Sequence, residues 1–320
     1  MHGFRIGKHS RNGVEGLASP QISREKLKEI REDIVNGFKE AMMIPPEKTL
    51  EALQGLDMIV VLEGNTVVHS PEIIRPTTWQ DFDNSPLFDP DDEYRYIQDV
   101  PAMLAGGMRP LATGQIGVGL GDQTPLLVFA GGNPVSKEKT HEIPHSGSEV
   151  YKALYKKWLR LFSALGQKQP WSVIHAGTAP KEPVVLSNSE NSRGDMLNAL
   201  KLALEQTTDK TKQIKVGFLS NDYHLPRLEA MFENLQGEIP ELSTRVVFVP
   251  ISAEDTILSL ASETAKKSLF TTFENAYSQD TALNRIGVEL VGTKMTYGYI
   301  YKARPGKPSQ RDSGANALGQ

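Results

Sequence analysis

The sequence predicts an α/β fold with a mostly parallel sheet, extended by N-terminal helical and C-terminal segments. Continuous apolar runs that stop at glycine, proline or polar residues are typical of strands buried on both faces. Helical stretches lie between the later runs, and this alternation implies parallel strands joined by right-handed crossovers. The five runs are residues 57–64, 124–134, 170–177, 214–222 and 244–252.

Outside the strands, the chain divides into predicted segments. A helix from about Ser23 to Met43 is expected to follow a flexible start, because apolar residues recur there at helical spacing. "RIGVELVG" (285–292) and "MTYGYIYKA" (295–303) alternate like strands, and "GQIGVGLGD" (114–122) is expected to form a loop. The predicted units are 1–56 (flexible segment and helical extension), 57–255 (α/β core), 256–305 (helix and strand element) and 306–320 (disordered tail).

Composition narrows the possible functions. The chain has 320 residues, a formal charge of -4 and no cysteine. This charge gives no long-range attraction to nucleic acid or anionic membrane, and the missing thiols exclude disulfides, thiolate zinc sites and cysteine nucleophiles. No run approaches the ~20 apolar residues of a membrane span, and the N-terminus has no apolar signal region. The expectation is a cytoplasmic protein with a small-molecule ligand; export by a route that reads no N-terminal signal stays open, and the sequence does not identify a protein partner.

The site is expected at the carboxyl edge of the sheet, because ligands of parallel sheets bind beyond the strand ends where the strand order reverses. Glycine pairs there let backbone N–H groups approach an anion closely, although a lone pair such as that in "AGGN" more often forms a plain tight turn. The candidate ligand-binding residues directly after the first two strands are Glu63, Gly64, Asn65, Gly131, Gly132 and Asn133.

Small polar residues also precede a predicted helix in "SNSENSRGDMLNAL" (187–200). A helix N-terminus presents free N–H groups and a partial positive charge, which suit an anion. Ser189, Asn191 and Ser192 would add hydrogen bonds to such a ligand. The alternative is ordinary N-capping, which these residue types provide in many helices.

The most unusual stretch is "FLSNDYHLPR" (218–227), where an apolar strand gives way to a helix. His224 suits proton transfer or phosphate binding, and Arg227 suits an anion clamp. Asp222 would orient His224 or bind a metal, and Asn221 would contact the ligand. The alternative is a helix cap followed by an exposed arginine. Tyr223 is expected to point away from the site into packing, because alternate residues leaving a strand face opposite sides.

These pieces resemble the YdcF/SanA/ElyC-like family of bacterial α/β proteins. The stretches that carry the resemblance are "DMIVVLEGN", "LLVFAGG" with the later "SGSEV" that contains Glu149, "SENSRGDM" and "FLSNDYHLPRLEAMF". Arg95 is taken to match an arginine that opens the family's first crossover helix. The chain departs from the family at Glu63, where glycine is usual, and at Asp195, where asparagine is usual.

The resemblance implies a Rossmann-like three-layer α/β/α sandwich, with a polar pocket for a phosphate-containing or adenosyl ligand at the carboxyl edge of the sheet. Three hypotheses follow. The first is an enzyme that acts on a phosphorylated or nucleotide-type molecule, with His224 and Asp222 catalytic and Arg227 binding the anion. The second is a non-catalytic protein that binds or senses such a ligand. The third is an interaction protein that contacts a partner through its N-terminal helix and the insertion at 66–123.

Overall fold

The computed structural model describes residues 23–63, 66–70, 73–76, 106–132, 146–165, 177–189 and 191–298. The strands are β1 Met58–Leu62, β2 Thr66–Ser70, β3 Ile73–Pro76, β4 Leu126–Ala130, β5 Val184–Leu186, β6 Ile214–Ser220 and β7 Val246–Ser252. The helices are α1 Arg24–Met43, α2 Pro46–Gln54, α3 Met108–Leu120, α4 Gly147–Leu165, α5 Ser192–Gln206, α6 Leu225–Glu238, α7 Pro240–Arg245, α8 Ala253–Leu260, α9 Glu263–Tyr277 and α10 Asp280–Gly298.

The main sheet has five parallel strands in the order β5-β4-β1-β6-β7. Strand β1 lies at its centre, where Val60 pairs with Val128 on one side and with Phe218 on the other. All five residues of β1 are buried, as its continuous apolar sequence predicts. The chain moves outward from β1 through β4 to β5 and then returns to the other side as β6. The strand order therefore reverses between β1 and β6, which is where such sheets bind ligands.

Helices cover both faces of the sheet, so the predicted three-layer α/β arrangement is confirmed. Alternate strand residues serve the two layers: Val61 and Phe129 pack beneath α1, α3, α4, α8 and α9, whereas Val60 and Val128 pack beneath α5 and α6. The N-terminal helix begins as predicted, because Ser23 Oγ accepts a hydrogen bond from Lys26 N at 3.2 Å. No helix in the described ranges combines the length and the apolar character that a bilayer crossing requires.

Two predicted elements differ from the structure, and a third lies almost wholly outside the described residues. The Gly-rich stretch at 114–120 is helical rather than a loop, because its glycines allow α4 to pack closely: a methyl group on Gly114 would lie 2.7 Å from Trp158 Cβ. Residues 285–292 belong to α10, so the strand predicted there is wrong. Ile286, Glu289 and Thr293 are buried at helical spacing on that helix. The run at 170–177 lies outside the described residues apart from Gly177, and β5 pairs with β4 instead.

Candidate functional site

A buried arginine occupies the point where the strand order reverses. Arg109, the second residue of α3, is only 3 % exposed. Its Nη1 donates to the carbonyl of Leu62 at the end of β1 (2.7 Å), and its Nε donates to Asn221 Oδ1 just after β6 (2.9 Å). The guanidinium therefore bridges the carboxyl ends of the two strands that flank the reversal. Both partners are neutral oxygens, and no carboxylate of the described residues forms an ion pair with Arg109.

The amide of Asn221 is oriented by a second partner. Its Nδ2 donates to Glu254 Oε1 at 2.9 Å, so Oδ1 is left to accept from Arg109. Glu254 lies at the start of α8, is fully buried and also accepts from Tyr277 OH (2.8 Å) and from Asp222 N (3.1 Å). Burial raises the pKa of Glu254, and the hydrogen bonds from Asn221 and Tyr277 oppose that rise. The network fixes the backbone after β6 and the direction of the Asn221 carbonyl toward Arg109.

His224 closes the short 3-10 turn after β6 and is 5 % exposed. Its Nδ1 lies 2.9 Å from Ser220 Oγ, so Ser220 fixes this edge of the ring. The pKa of His224 is lowered from 6.5 to about 3, mainly by burial; Glu289 opposes the change, and the positive charge of Arg109 adds to it. The imidazole is therefore neutral at physiological pH.

The Arg227 guanidinium faces the C-terminal helix. Its Nη1 lies 3.4 Å from Oε2 of Glu289, a residue of α10 that is 2 % exposed. Arg285 contacts the other oxygen of the same carboxylate at 2.7 Å, and His224 Nε2 lies 3.9 Å from it. A methyl group on Gly292 would lie 3.1 Å from Arg227 Nε, so this helix packs directly on the guanidinium. Arg227 thus joins α6 to α10, in addition to any ligand contact.

The remaining residues of the stretch have defined positions. Asp222 Oδ2 accepts from Ser252 Oγ at 2.9 Å, which joins the ends of β6 and β7. Tyr223 is 8 % exposed and packs against Tyr277, with the ring centroids 6.5 Å apart, so the prediction that it points into packing is confirmed. No group of three or more His, Asp or Glu side chains suited to a metal ion occurs among the residues described.

The loop after β5 forms a separate polar corner. Asn191 is the N-cap of α5, and its Oδ1 accepts from Gly194 N at 2.9 Å. Ser192 is the first residue of that helix, and Ser189 Oγ donates to the carboxyl group of Asp195. Burial raises the pKa of Asp195 from 3.8 to about 7. The capping interpretation of Asn191 therefore holds, and a ligand contact by Ser189 or Ser192 stays a prediction.

The glycine pair after β4 is engaged in the fold. Gly131 N donates to Leu186 O at 3.0 Å, and Gly132 O accepts from Gly147 N at 3.1 Å. The backbone N–H of Gly131 is thus already used by the neighbouring strand, which corrects the expectation that it faces an anion. Glu149 Oε2 accepts from Ser146 N at 2.8 Å and so caps α4. The candidates Gly64, Asn65 and Asn133, with Arg95, lie outside the described residues.

Sequence reasoning missed the central cation and two buried carboxylates. Arg109 lies at the start of the described crossover helix between β1 and β4, whereas the resemblance suggested Arg95 for such a position. Its signal was present: a single arginine stands in the otherwise uncharged "MRPLATGQIGVGL". Glu254 carries a weaker signal, because it follows a strand within "ISAED", at the same edge as the other candidates. Glu289 carries no such signal, because it lies on a helix whose alternating sequence pattern predicted a strand.

Comparisons of the chain with family models, with curated proteins and with solved structures gave no match.

Proposed function

We propose that the protein binds a phosphorylated or nucleotide-type small molecule at the carboxyl edge of its sheet, with Arg109 holding the anionic group. One observation carries the proposal: a buried guanidinium that contacts only neutral oxygens among the described residues. A buried charge is costly unless an opposite charge compensates it, and guanidinium geometry matches phosphate and carboxylate oxygens. An anionic ligand would supply the missing charge.

The place of Arg109 in the fold supports the same proposal. Doubly wound sheets bind ligands in the crevice where the strand order reverses, and Arg109 bridges the two strands on either side of that reversal. The Leu62 carbonyl and Asn221 Oδ1 hold the guanidinium without using its whole hydrogen-bonding capacity, because Nη2 forms no hydrogen bond with a described residue. A preoriented donor of this kind binds an anion with little reorganisation.

Catalysis on this ligand is the first version of the proposal. His224 would then act through Nε2, since Nδ1 faces Ser220. Because its pKa lies near 3, the ring would work as a neutral hydrogen-bond donor, since it is too weak a base to remove a proton efficiently at neutral pH and is not an imidazolium acid there. The sequence suggested that His224 acts as a general acid, and the lowered pKa makes this role unsuitable.

Ligand sensing without turnover is the second version. The burial of His224 favours it, because a ring that is only 5 % exposed and has a strongly lowered pKa is typical of a structural histidine as well. Both versions share the Arg109 anion site and differ in whether a bond of the ligand is broken.

Calorimetry of the full chain with a small panel tests the shared part. The panel consists of inorganic phosphate, adenosine, adenosine diphosphate and ribose 5-phosphate, so that adenosyl and phosphate recognition are separated. Binding of a phosphorylated member that is lost in Arg109→Met supports the proposal, and binding that survives this change contradicts it. Product analysis of the bound compound with wild type and His224→Asn then separates turnover from sensing.

A further inference from the structure

The carboxylate of Glu63 lies at the same strand end as the Arg109 site. Glu63 directly follows Leu62, whose carbonyl accepts a hydrogen bond from Arg109. Its own N–H donates to Ala130 O at 2.8 Å, so the backbone of Glu63 extends the sheet by one residue. Leu62, which accepts from Arg109, and the acidic Glu63 are therefore neighbours in sequence at the carboxyl end of the central strand.

The side chain of Glu63 occupies a space that two glycines leave open. A methyl group on Gly147 would lie 1.7 Å from Glu63 Oε1, and one on Gly131 would lie 1.9 Å from Glu63 Oε2. Real Cβ atoms do not approach other atoms this closely, so the carboxylate fits only because both positions lack a side chain. The carboxylate therefore lies directly against the first residue of α4.

The start of a helix is otherwise the natural place for an anionic ligand. Its first N–H groups lack helical partners, and the helix dipole adds partial positive charge. In α4, however, Glu149 already caps Ser146 N and Glu63 lies against Gly147. Two carboxylates of the chain itself thus surround this helix end and repel a third negative group.

We propose that Glu63 is a specificity-determining residue that excludes anionic groups from the start of α4 and accepts hydrogen bonds from the hydroxyl groups of a sugar. The inference rests on the proposed function, because it places the ligand's anionic group at Arg109 and its hydroxyl-bearing part at Glu63. A carboxylate at a strand end is a suitable acceptor for ribose hydroxyls. The expected ligand class is then a sugar phosphate or a nucleotide rather than a simple anion.

Titration calorimetry with inorganic phosphate and with ribose 5-phosphate tests the inference. Glu63→Gln keeps the shape of the side chain and removes its charge, and Glu63→Gly also removes the acceptor. Both variants are expected to bind inorganic phosphate roughly 10-fold more tightly than wild type, because a nearby negative charge at partly screened distance is removed. The preference of wild type for ribose 5-phosphate over phosphate is expected to disappear in Glu63→Gly. Glu47→Gln, an exposed glutamate in the first turn of α2, is the matched control and should change neither value.

The outcomes separate this inference from the proposed function. Unchanged or weaker phosphate binding in both Glu63 variants overturns the inference, as does no phosphate binding by either of them. If the gain in Glu63→Gln persists when Arg109→Met is added, the role of Glu63 stands and the Arg109 site is wrong. If ligand binding depends on Arg109 while the Glu63 variants equal wild type, the proposed function stands and the role of Glu63 is wrong.

Discussion

Arg109 Nε donates a hydrogen bond to Asn221 Oδ1 across 2.9 Å, which joins the start of α3 to the end of β6, 112 residues further along the chain. Both residues are buried. The contact places a fixed positive charge at the reversal of the strand order, and the account of function depends on it.

Arg227 is predicted to stabilise the fold through its contact with the buried carboxylate of Glu289. Arg227→Ala removes one cation from the buried carboxylate of Glu289 and should cost about 1–3 kcal/mol of unfolding free energy, because a buried charged group loses a partner. Urea unfolding measures the change. Arg24→Ala is the control: its ion pair with Asp280 also reaches α10 but is exposed, so its loss should cost under about 1 kcal/mol. Equal stability of wild type and Arg227→Ala would show that the α10 contact contributes nothing.

Asp195 is predicted to make stability fall as pH rises. Its pKa is 3.8 in the unfolded chain and about 7 in the folded protein, so only the folded state holds the proton between these values. Wild type should lose about 1.4 kcal/mol per pH unit in this window relative to Asp195→Asn, and the difference should become constant above pH 7. Unfolding free energies of both proteins from pH 4 to pH 8 measure it. A difference that does not vary with pH would mean that the carboxyl group is ionised throughout.

His224 is predicted to act in the opposite direction. Its folded pKa of about 3 lies below the usual 6.5, so the unfolded chain binds the proton first. Relative to His224→Asn, wild type should lose stability as pH falls from 6.5 toward 3, by about 1.4 kcal/mol per unit, with no difference in slope above pH 7. Nuclear magnetic resonance of the imidazole nitrogens should show a neutral ring at pH 6. A protonated imidazole at pH 6 would contradict the burial of the His224 side chain.

Gly147 is predicted to tolerate a side chain only when Glu63 is shortened. Gly147→Ala in the wild-type chain forces a methyl group into the Glu63 carboxylate, whereas the same change in Glu63→Gly meets no such atom. A double-mutant cycle should give a coupling of about 0.5–3 kcal/mol in unfolding free energy. Gly237→Ala is the control, because a methyl group there meets nothing within 4 Å. Additive effects of the two changes would place the carboxylate elsewhere.

Much of the sheet is predictable from sequence because strands buried on both faces must be apolar throughout. The run that contains Met58–Leu62 is of this kind and forms the central strand. Helices were harder to predict from sequence where their packing is unusual. The glycines of α3 permit close contact with α4 and looked like loop residues, and the buried ionic contacts of Glu289 interrupted the apolar stripe of α10.

The positions of the candidate residues in the fold could be predicted from sequence, but their contacts could not. The edge of the sheet follows from parallel pairing, which placed Asn221 and His224 correctly after β6. The partners of these residues come from distant segments: Arg109 precedes Asn221 by 112 positions, and Glu254 follows it by 33. No local pattern encodes such pairs. Arg227 was assigned to a ligand from its charge and its position near His224, and its contact with Glu289 was not predicted because Glu289 lies on a helix that was predicted to be strand.

Calorimetric titration of adenosine diphosphate into wild type, Arg109→Lys and Arg109→Met measures whether the Arg109 guanidinium binds the anionic group of the ligand. Arg109→Lys keeps the positive charge but loses the planar fork, and circular dichroism establishes that each variant is folded at the working temperature. Arg31→Met on α1 is the control for loss of an arginine outside the site. Binding of adenosine diphosphate is expected to be unchanged in Arg31→Met, at least roughly 10-fold weaker in Arg109→Lys, and not measurable in Arg109→Met. Wild-type affinity in a folded Arg109→Met, or no affinity of wild type for any phosphorylated compound of the panel, would contradict the proposed role of Arg109.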